Sequence, residues 1–281
     1  MRWEDRGPSR NVEDRRGRGG VGVPLGIGGT AILLVLSLIL GTDLFSLLGI
    51  TPQVSGPSPA APPVAESPAE EELFSFVSYV FDDTQSMWQQ TFEGSDTPYQ
   101  ESTLVVYRQA VESGCGVAPS AVGPFYCPVD GNVYLDLSFY EALRQQLGAP
   151  GDFAQAYVIA HEMGHHVQNL LGIASDVRSA QSSNPELANR LSVAMELQAD
   201  CLAGVWASTV EARGDLERGD VEEGLRAAAA VGDDRLVQGG GGATGIDEET
   251  FTHGTSEQRT SWFRTGYQQG DPAACDTFSQ L

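Results

Sequence analysis

From Val21 to Leu40 the chain carries no charged residue, and the second half of that stretch reads AILLVLSLIL. At 1.5 Å per residue, about twenty apolar residues cross the hydrocarbon layer of a bilayer. The run therefore predicts one transmembrane helix, residues 21–48 with its flank, and a lipid bilayer as a partner. Residues 1–20 precede it as a leader with six arginines against four acids. Arg10, Arg15, Arg16 and Arg18 stand just before the apolar run. The positive-inside tendency then predicts a cytoplasmic N-terminus and an extracellular or periplasmic remainder, a single-pass cell-membrane protein. A cleaved signal peptide is the competing reading. The long polar leader and the apolar continuation LFSLLGI after Asp43 favour retention of the helix. Residues 49–72 are rich in proline, alanine and serine and predict a semi-extended spacer. A folded domain is expected over residues 73–281.

Charge narrows the partners of that domain. The formal net charge is −22, the pI is near 4.3 and every basic residue is an arginine. Outside residues 1–20, ten arginines face thirty-four acids. Such a surface repels polyanions, so no nucleic-acid partner is expected. The glycine run from Gly239 to Gly245 lacks the spacing of a phosphate-binding loop, so no nucleotide is expected either. No G-x-S-x-G is present to suggest serine-type chemistry.

Periodicity places the elements. LFSFVSYVFDDTQSMWQQTFE has apolar residues at helical spacing, and TLVVYRQ reads as a strand. GPFYCP and NVYLDL, with Asp130-Gly131 between them, read as a short hairpin. Helices are predicted over 139–147, 153–170, 185–210, 221–231 and 256–268, and the glycine run as a flexible loop. This is an α+β pattern, mainly helical with a small antiparallel sheet. Four cysteines allow three pairings. Cys115–Cys127, closing a short loop around the hairpin, and Cys201–Cys275, tying the tail to a helix, are the favoured pair.

Three of the four histidines fall within AYVIAHEMGHHVQNLLG. On a helix, His161 and His165 lie one turn apart on one face and can converge on one ion. Glu162 projects beside them. This H-E-x-x-H arrangement is that of zinc peptidases, although two satisfied core histidines would give the same letters. His166 is rotated about 100° from His165 and is expected to face away as a packing residue. A catalytic zinc usually takes three protein ligands. In AMELQADCLAGVWA, Glu196 and Asp200 share one face of a second apolar helix, where buried carboxylates need partners.

With E-x-x-x-D downstream of H-E-x-x-H, the chain resembles the glutamate-type zinc peptidases. The likeness implies Glu196 as third ligand and Asp200 as the group that holds a ligand histidine by its other ring nitrogen. The segments GPFYCPVDGNVYLDLSFY, DFAQAYVIAHEMGHHVQ, ELQADCLAGVWA, VGDDRL and FTHGTSEQRTSWFRTGY resemble the neutral zinc metallopeptidases that carry one N-terminal membrane helix. That resemblance implies a zincin-like fold, one Zn2+ and hydrolysis of peptide or protein substrates, with Glu162 as general base toward a zinc-bound water. An extended substrate would add a strand beside the hairpin. Zinc peptidases of this type often carry an oxyanion-stabilising side chain where His253 stands here, just before a helix expected to be capped by Thr255 or Ser256. Arg259 and Tyr267 are rivals for that role, and a plain surface histidine is the bland reading. Two other functions fit the same letters: a catalytically idle anchored zinc domain that binds a protein, and a zinc amidase acting on cell-wall peptides.

Overall fold

The computed structural model describes residues 1–17, 67–239 and 248–280. The expected membrane helix over 21–48, most of the 49–72 spacer and nearly all of the glycine run lie outside the described residues. Among the described residues no helix is long and apolar enough to cross a membrane.

Among the described residues fourteen α-helices and strands follow the chain: β1 (Val12–Asp14), α1 (Pro68–Thr91), β2 (Leu104–Tyr107), β3 (Ala110–Ser113), β4 (Gly116–Pro119), β5 (Phe125–Cys127), β6 (Asn132–Asp136), α2 (Ser138–Gln145), α3 (Asp152–Leu170), α4 (Ile173–Ser183), α5 (Ala188–Ala212), α6 (Asp220–Ala230), α7 (Asp233–Gly239) and α8 (Ser256–Gln269). The four-stranded sheet has the order β1-β2-β6-β5; β1, β2 and β6 run parallel and β5 runs antiparallel to β6. A separate antiparallel pair, β3–β4, completes the β structure.

Residues of period two divide the sheet's faces. Leu104, Val106, Val133 and Leu135 join the main core with Phe81 and Trp88 of α1 and Ile159 and Met163 of α3. Val105, Tyr107 and Tyr134 point the other way, where Val111, Cys127, Ala118 and Phe125 cover them. With both faces covered, β2 is buried at every position, which is why LVVY shows no alternation. The β5–β6 turn uses Gly131 at φ 74°, and Asp130 accepts from the backbone N–H of Asn132 and Gly114. Cys115–Cys127 ties that hairpin to the β3–β4 connection.

The helical layer is built on close approaches. A Cβ on Gly164 of α3 would lie 3.0 Å from the Cα and carbonyl oxygen of Ala199 on α5. On α8, a Cβ on Gly266 would come within 1.8 Å of the Cys201 carbonyl oxygen. α5 is thereby drawn against α3 on one side and α8 on the other. Cys201–Cys275 then fastens the tail to α5. Asp83 of α1 accepts from Trp206 Nε1 at 2.9 Å and pairs with Arg213, joining the first helix to α5.

Several expectations are corrected. The larger sheet is mixed, not antiparallel, because β1 and β2 enter it parallel to β6. The leader is not separate from the domain: residues 1–17 supply β1 and pack on α1. The spacer ends earlier than residue 72, because Ser67 caps α1 with Pro68 in its first turn and Glu70 and Glu71 at its positive end. Helices α4 and α7 and strands β3 and β4 were not anticipated. α4 follows α3 after a single break at Gly172, whose φ of 79° ends one helix and lets the next begin. Thr255, not Ser256, caps α8, in a capping box with Gln258.

The glycine contacts make a stability prediction. Gly266→Ala would return up to about 1 kcal/mol of helix propensity. It also forces α8 off the α5 backbone, which cannot yield as a side chain does, at an overpacking cost of about 1–3 kcal/mol or more. The net effect expected is a lower urea midpoint at unchanged slope, measured by circular dichroism.

Candidate metal centre

α3 and α5 place the charged groups. Both helices are apolar along most of their length, and His161, Glu162, Glu196 and Asp200 are exceptions on the faces they turn to one another. His161 Nε2 lies 3.2 Å from one Glu196 oxygen and His165 Nε2 lies 3.4 Å from the other. One ligand atom from each of the three residues falls within 4.8 Å of the others. The structure thus brings together all three residues expected to hold a metal.

The other ring nitrogens decide the tautomers. His161 Nδ1 is 2.9 Å from Asp200 Oδ1, a carboxylate that can only accept, so Nδ1 carries the hydrogen. His165 Nδ1 is 2.8 Å from the Gln168 side-chain oxygen. That amide is held the right way round because its NH2 donates to the Met195 carbonyl at 2.8 Å and to Gln198 Oε1 at 3.0 Å. In both rings Nε2 is the nitrogen turned toward Glu196, where it shares a proton that a metal ion would displace. The arrangement is that of metal-ligating imidazoles, whose second nitrogen is tied to an acceptor.

Asp200 is fully buried and accepts four hydrogen bonds from three residues. Besides His161 it accepts from the Tyr157 hydroxyl, from Arg259 Nε at 2.8 Å and from Arg259 Nη2 at 3.0 Å. Arg259, itself buried, also donates to the Tyr157 hydroxyl at 3.3 Å and the Val231 carbonyl at 3.3 Å. Its expected rival role as an oxyanion donor is corrected: it lies on the Nδ1 side of His161, clamped on Asp200. Tyr267 interacts with Glu211, about 22 Å along α5 from Glu196, and is corrected in the same way.

The charges around the three residues are compatible with a cation held among them. Arg259 balances Asp200 and lies 3.7 Å from one Glu196 oxygen, and the two imidazoles face Glu196 more closely. Burial would push Glu196 up, but the charges and hydrogen bonds of His165 and His161 outweigh it and hold the carboxyl well below its ordinary range. Burial would likewise push His161 down, but its bonds to Asp200 and Glu196 raise it to about 10. Protons thus take the place of positive charge in a pocket whose donor set, two nitrogens and a carboxylate, suits zinc. Glu162 is buried at the rim and its carboxyl is raised, chiefly by burial, although the nearby histidines oppose this. The Tyr126 backbone hydrogen-bonds to it.

His166 faces away as expected: Nε2 donates to the Gln100 carbonyl at 2.7 Å, Nδ1 accepts from the Tyr126 hydroxyl at 3.2 Å, and burial lowers its pKa. His253 sits on an exposed loop. A Cβ on Gly254 of that loop would lie 3.1 Å from Val193 and 3.3 Å from Leu197, so the loop runs close to the stretch of α5 that carries Glu196. Asp233 builds the loop: its carboxylate accepts from the backbone N–H groups of Thr252, His253 and Gly254 and lies 3.1 Å from His253 Nδ1. The bond to Asp233 raises the His253 pKa, and the Glu196 charge adds to this.

Gln168, Tyr157, Asp233 and the true position of Arg259 were not anticipated. Gln168 stands three residues after His165 and Tyr157 four before His161, both on the ligand face of α3, so helical spacing carried a signal. Asp233, twenty residues from its histidine, left none.

A cleft of about 290 Å³ opens beside the cluster, lined by Tyr126, Pro128, His165, Val177, Met195 and Glu196 among others. β5, the sheet's edge strand, borders it through Tyr126.

Known proteins were compared with this geometry in place. No solved structure matches the chain. The chain is 48% identical over 291 aligned positions to "Uncharacterized protein YpfJ" of Escherichia coli strain K12, covering 100% of this chain and 99% of that protein. It is 45% identical over 205 positions to "Uncharacterized protein Rv2575" of Mycobacterium tuberculosis strain H37Rv, covering 69% of this chain and 67% of that one. The profile of the family described as "Putative neutral zinc metallopeptidase", whose cofactor is zinc, matches residues 1–278. The chain belongs to that family.

Proposed function

We propose that the chain is a zinc-dependent endopeptidase, with His161, His165 and Glu196 as metal ligands and Glu162 as general base. One observation carries this reading: two imidazoles whose tautomers are set by Asp200 and Gln168 aim their Nε2 atoms at a carboxylate, with a further buried carboxylate beside them. A purely structural metal site has no use for that further carboxylate. Zinc held there would supply Lewis acidity, polarising a peptide carbonyl and lowering the pKa of a water to about 7.

The chain's own residues do the rest. Glu162, with its affinity for a proton raised by burial, takes the proton from the attacking water and returns it to the leaving amine. Asp200 keeps His161 in its ligating tautomer and is kept ionised by Arg259. His253, held by Asp233, stands over the same stretch of α5 and would donate to the oxyanion that develops on the substrate carbonyl. An extended peptide would lie along β5 by strand addition, with one side chain in the cleft between Val177 and Met195.

Three outcomes follow. The purified protein should hold about one zinc per chain, and the double variant His161→Ala, His165→Ala should hold none, by elemental analysis. Full zinc content in the double variant would remove the ligand assignment. Glu162→Gln should keep its zinc and cut a peptide library at least about a hundredfold more slowly, because an amide cannot take the proton. Wild-type rates in that variant would remove Glu162 as base.

His253 sets the alkaline limb. The folded-state pKa is raised above 6.5, so the donor proton is fully present below 6.5 and is lost as pH rises through the raised value. kcat should therefore hold past pH 6.5 and decline beyond the shifted pKa. Asp233→Asn should move that decline back toward pH 6.5, while His253→Ala should lower kcat by about a hundredfold with KM and zinc content little changed. A profile unmoved by both substitutions would return His253 to the surface.

A further inference from the structure

Residues 1–17 are built into the domain. β1 pairs with β2 in the register Val12↔Leu104, Glu13↔Val105 and Asp14↔Val106, and the ladder extends through Leu104 N–H to the Asn11 carbonyl at 2.9 Å and Arg15 N–H to the Val106 carbonyl at 2.7 Å. Trp3 meets Phe76 of α1 edge-on at 5.4 Å, and Arg6 stacks over Tyr79 at 4.6 Å. Ser9 and Asn11 both donate to Asp82 of α1, at 2.8 and 2.7 Å.

Three of the four arginines that suggested a cytoplasmic leader are engaged here. Arg16 has a side chain 1% exposed, lies over the Phe74 ring at 4.2 Å, and pairs with Asp14 at 2.7 Å and Glu71 at 2.9 Å. Arg15 pairs with Glu13 and donates to the Glu112 carbonyl, and Arg10 pairs with Glu101. A buried arginine is stable only with its partners. Removing Arg16 leaves Glu71 and Asp14 without this cation, although Glu70 keeps Arg108, and removing the acids strands the guanidinium. The acidic surface of α1 and the basic segment are thus complementary halves of one interface.

A hydrogen-bonded ladder cannot form across a hydrocarbon layer about 30 Å thick. Gly17 and Ser67, the ends of the two described segments, therefore belong to one folded body. The side is indicated by Cys115–Cys127 and Cys201–Cys275, two disulfides that persist where the environment is oxidising. We propose that residues 1–17 and the domain from residue 67 onward face the same, oxidising side of the membrane, so that the apolar stretch does not act as a single crossing between them. This replaces the cytoplasmic N-terminus expected from arginine placement. The positive-inside tendency counts arginines free to interact with the cytoplasmic interface, and three of the four that suggested it are paired within the domain.

The test uses the full chain in cells stripped of their outer layers, with a membrane-impermeant maleimide as probe. All four native cysteines are in disulfides, so one engineered thiol reports at a time. Glu4→Cys marks the N-terminal segment and Glu186→Cys marks the domain; both positions are exposed. Labelling of both without permeabilisation is the expected result. Labelling of Glu186→Cys alone would overturn the proposal, and protection of both until permeabilisation would overturn the assigned side. A second measurement tests the docking itself. Arg16→Ala in the purified full chain should lower Tm by at least about 5 °C, and the exposed Arg10→Ala by less than half as much. An unchanged Tm for Arg16→Ala would overturn the docking; if that variant does not fold, the labelling pair still decides. Neither measurement reads peptidase activity, so the outcome is separate from that of the proposed function.

Discussion

The site hangs on one buried carboxylate. Asp200, on α5, binds His161 and Tyr157 of α3 and Arg259 of α8, so a single side chain joins three helices. Fully desolvated, it is tolerable only because each oxygen is satisfied and a buried guanidinium balances its charge. Taking away Arg259 would leave an uncompensated charge of the kind that costs about 3–5 kcal/mol. The arrangement also does chemical work: the hydrogen bond to Nδ1 fixes a hydrogen on that nitrogen and leaves Nε2 of His161 turned toward Glu196. Stability of the helix layer and the tautomer of His161 are therefore two consequences of one interaction.

That interaction needs the helices closer than ordinary side chains allow. Gly164, between the two ligand histidines, lets α3 approach Ala199, and Gly266 lets α8 approach Cys201. The disulfide at Cys201 then holds the tail carbonyl that receives the Gln198 amide, and Gln198 in turn faces Gln168 behind His165. Both histidines are thus backed by chains of polar groups that run through α5. The sheet contributes differently. It sets β5 at its edge, so Tyr126 borders the cleft and hydrogen-bonds Glu162 through its backbone while its hydroxyl anchors His166 and Asn169.

The N-terminal segment shows how charge composition can mislead when read locally. Residues 1–20 look like a basic leader beside an acidic chain, and the excess of arginine carries an orientation signal by itself. In the folded protein Arg16 is a counter-ion for Glu71 of α1, Arg15 pairs with Glu13 of β1 and Arg10 with Glu101, and β1 extends the sheet beyond β2. Without β1, the edge of the fully buried β2 would be open.

Much of the centre was legible because it is written in helical spacing. His161, Glu162 and His165 on one helix, Glu196 and Asp200 on another, and polar exceptions within apolar faces all follow from a 3.6-residue period. The Asp130-Gly131 turn and the two cysteine pairs were legible for similarly local reasons, of turn chemistry and loop length. The sequence by itself determined which groups could ligate and which helices carried them. Only the tertiary structure decided that Arg259 serves Asp200 instead of a substrate, that Asp233 holds His253, that Gln168 sets the second tautomer, and that residues 1–17 belong to the sheet. The Arg259, Asp233 and N-terminal contacts span about twenty to a hundred residues of chain, where no backbone periodicity relates the partners. Gln168 lay within reach of spacing, but its orientation came from Met195 and Gln198 on the neighbouring helix.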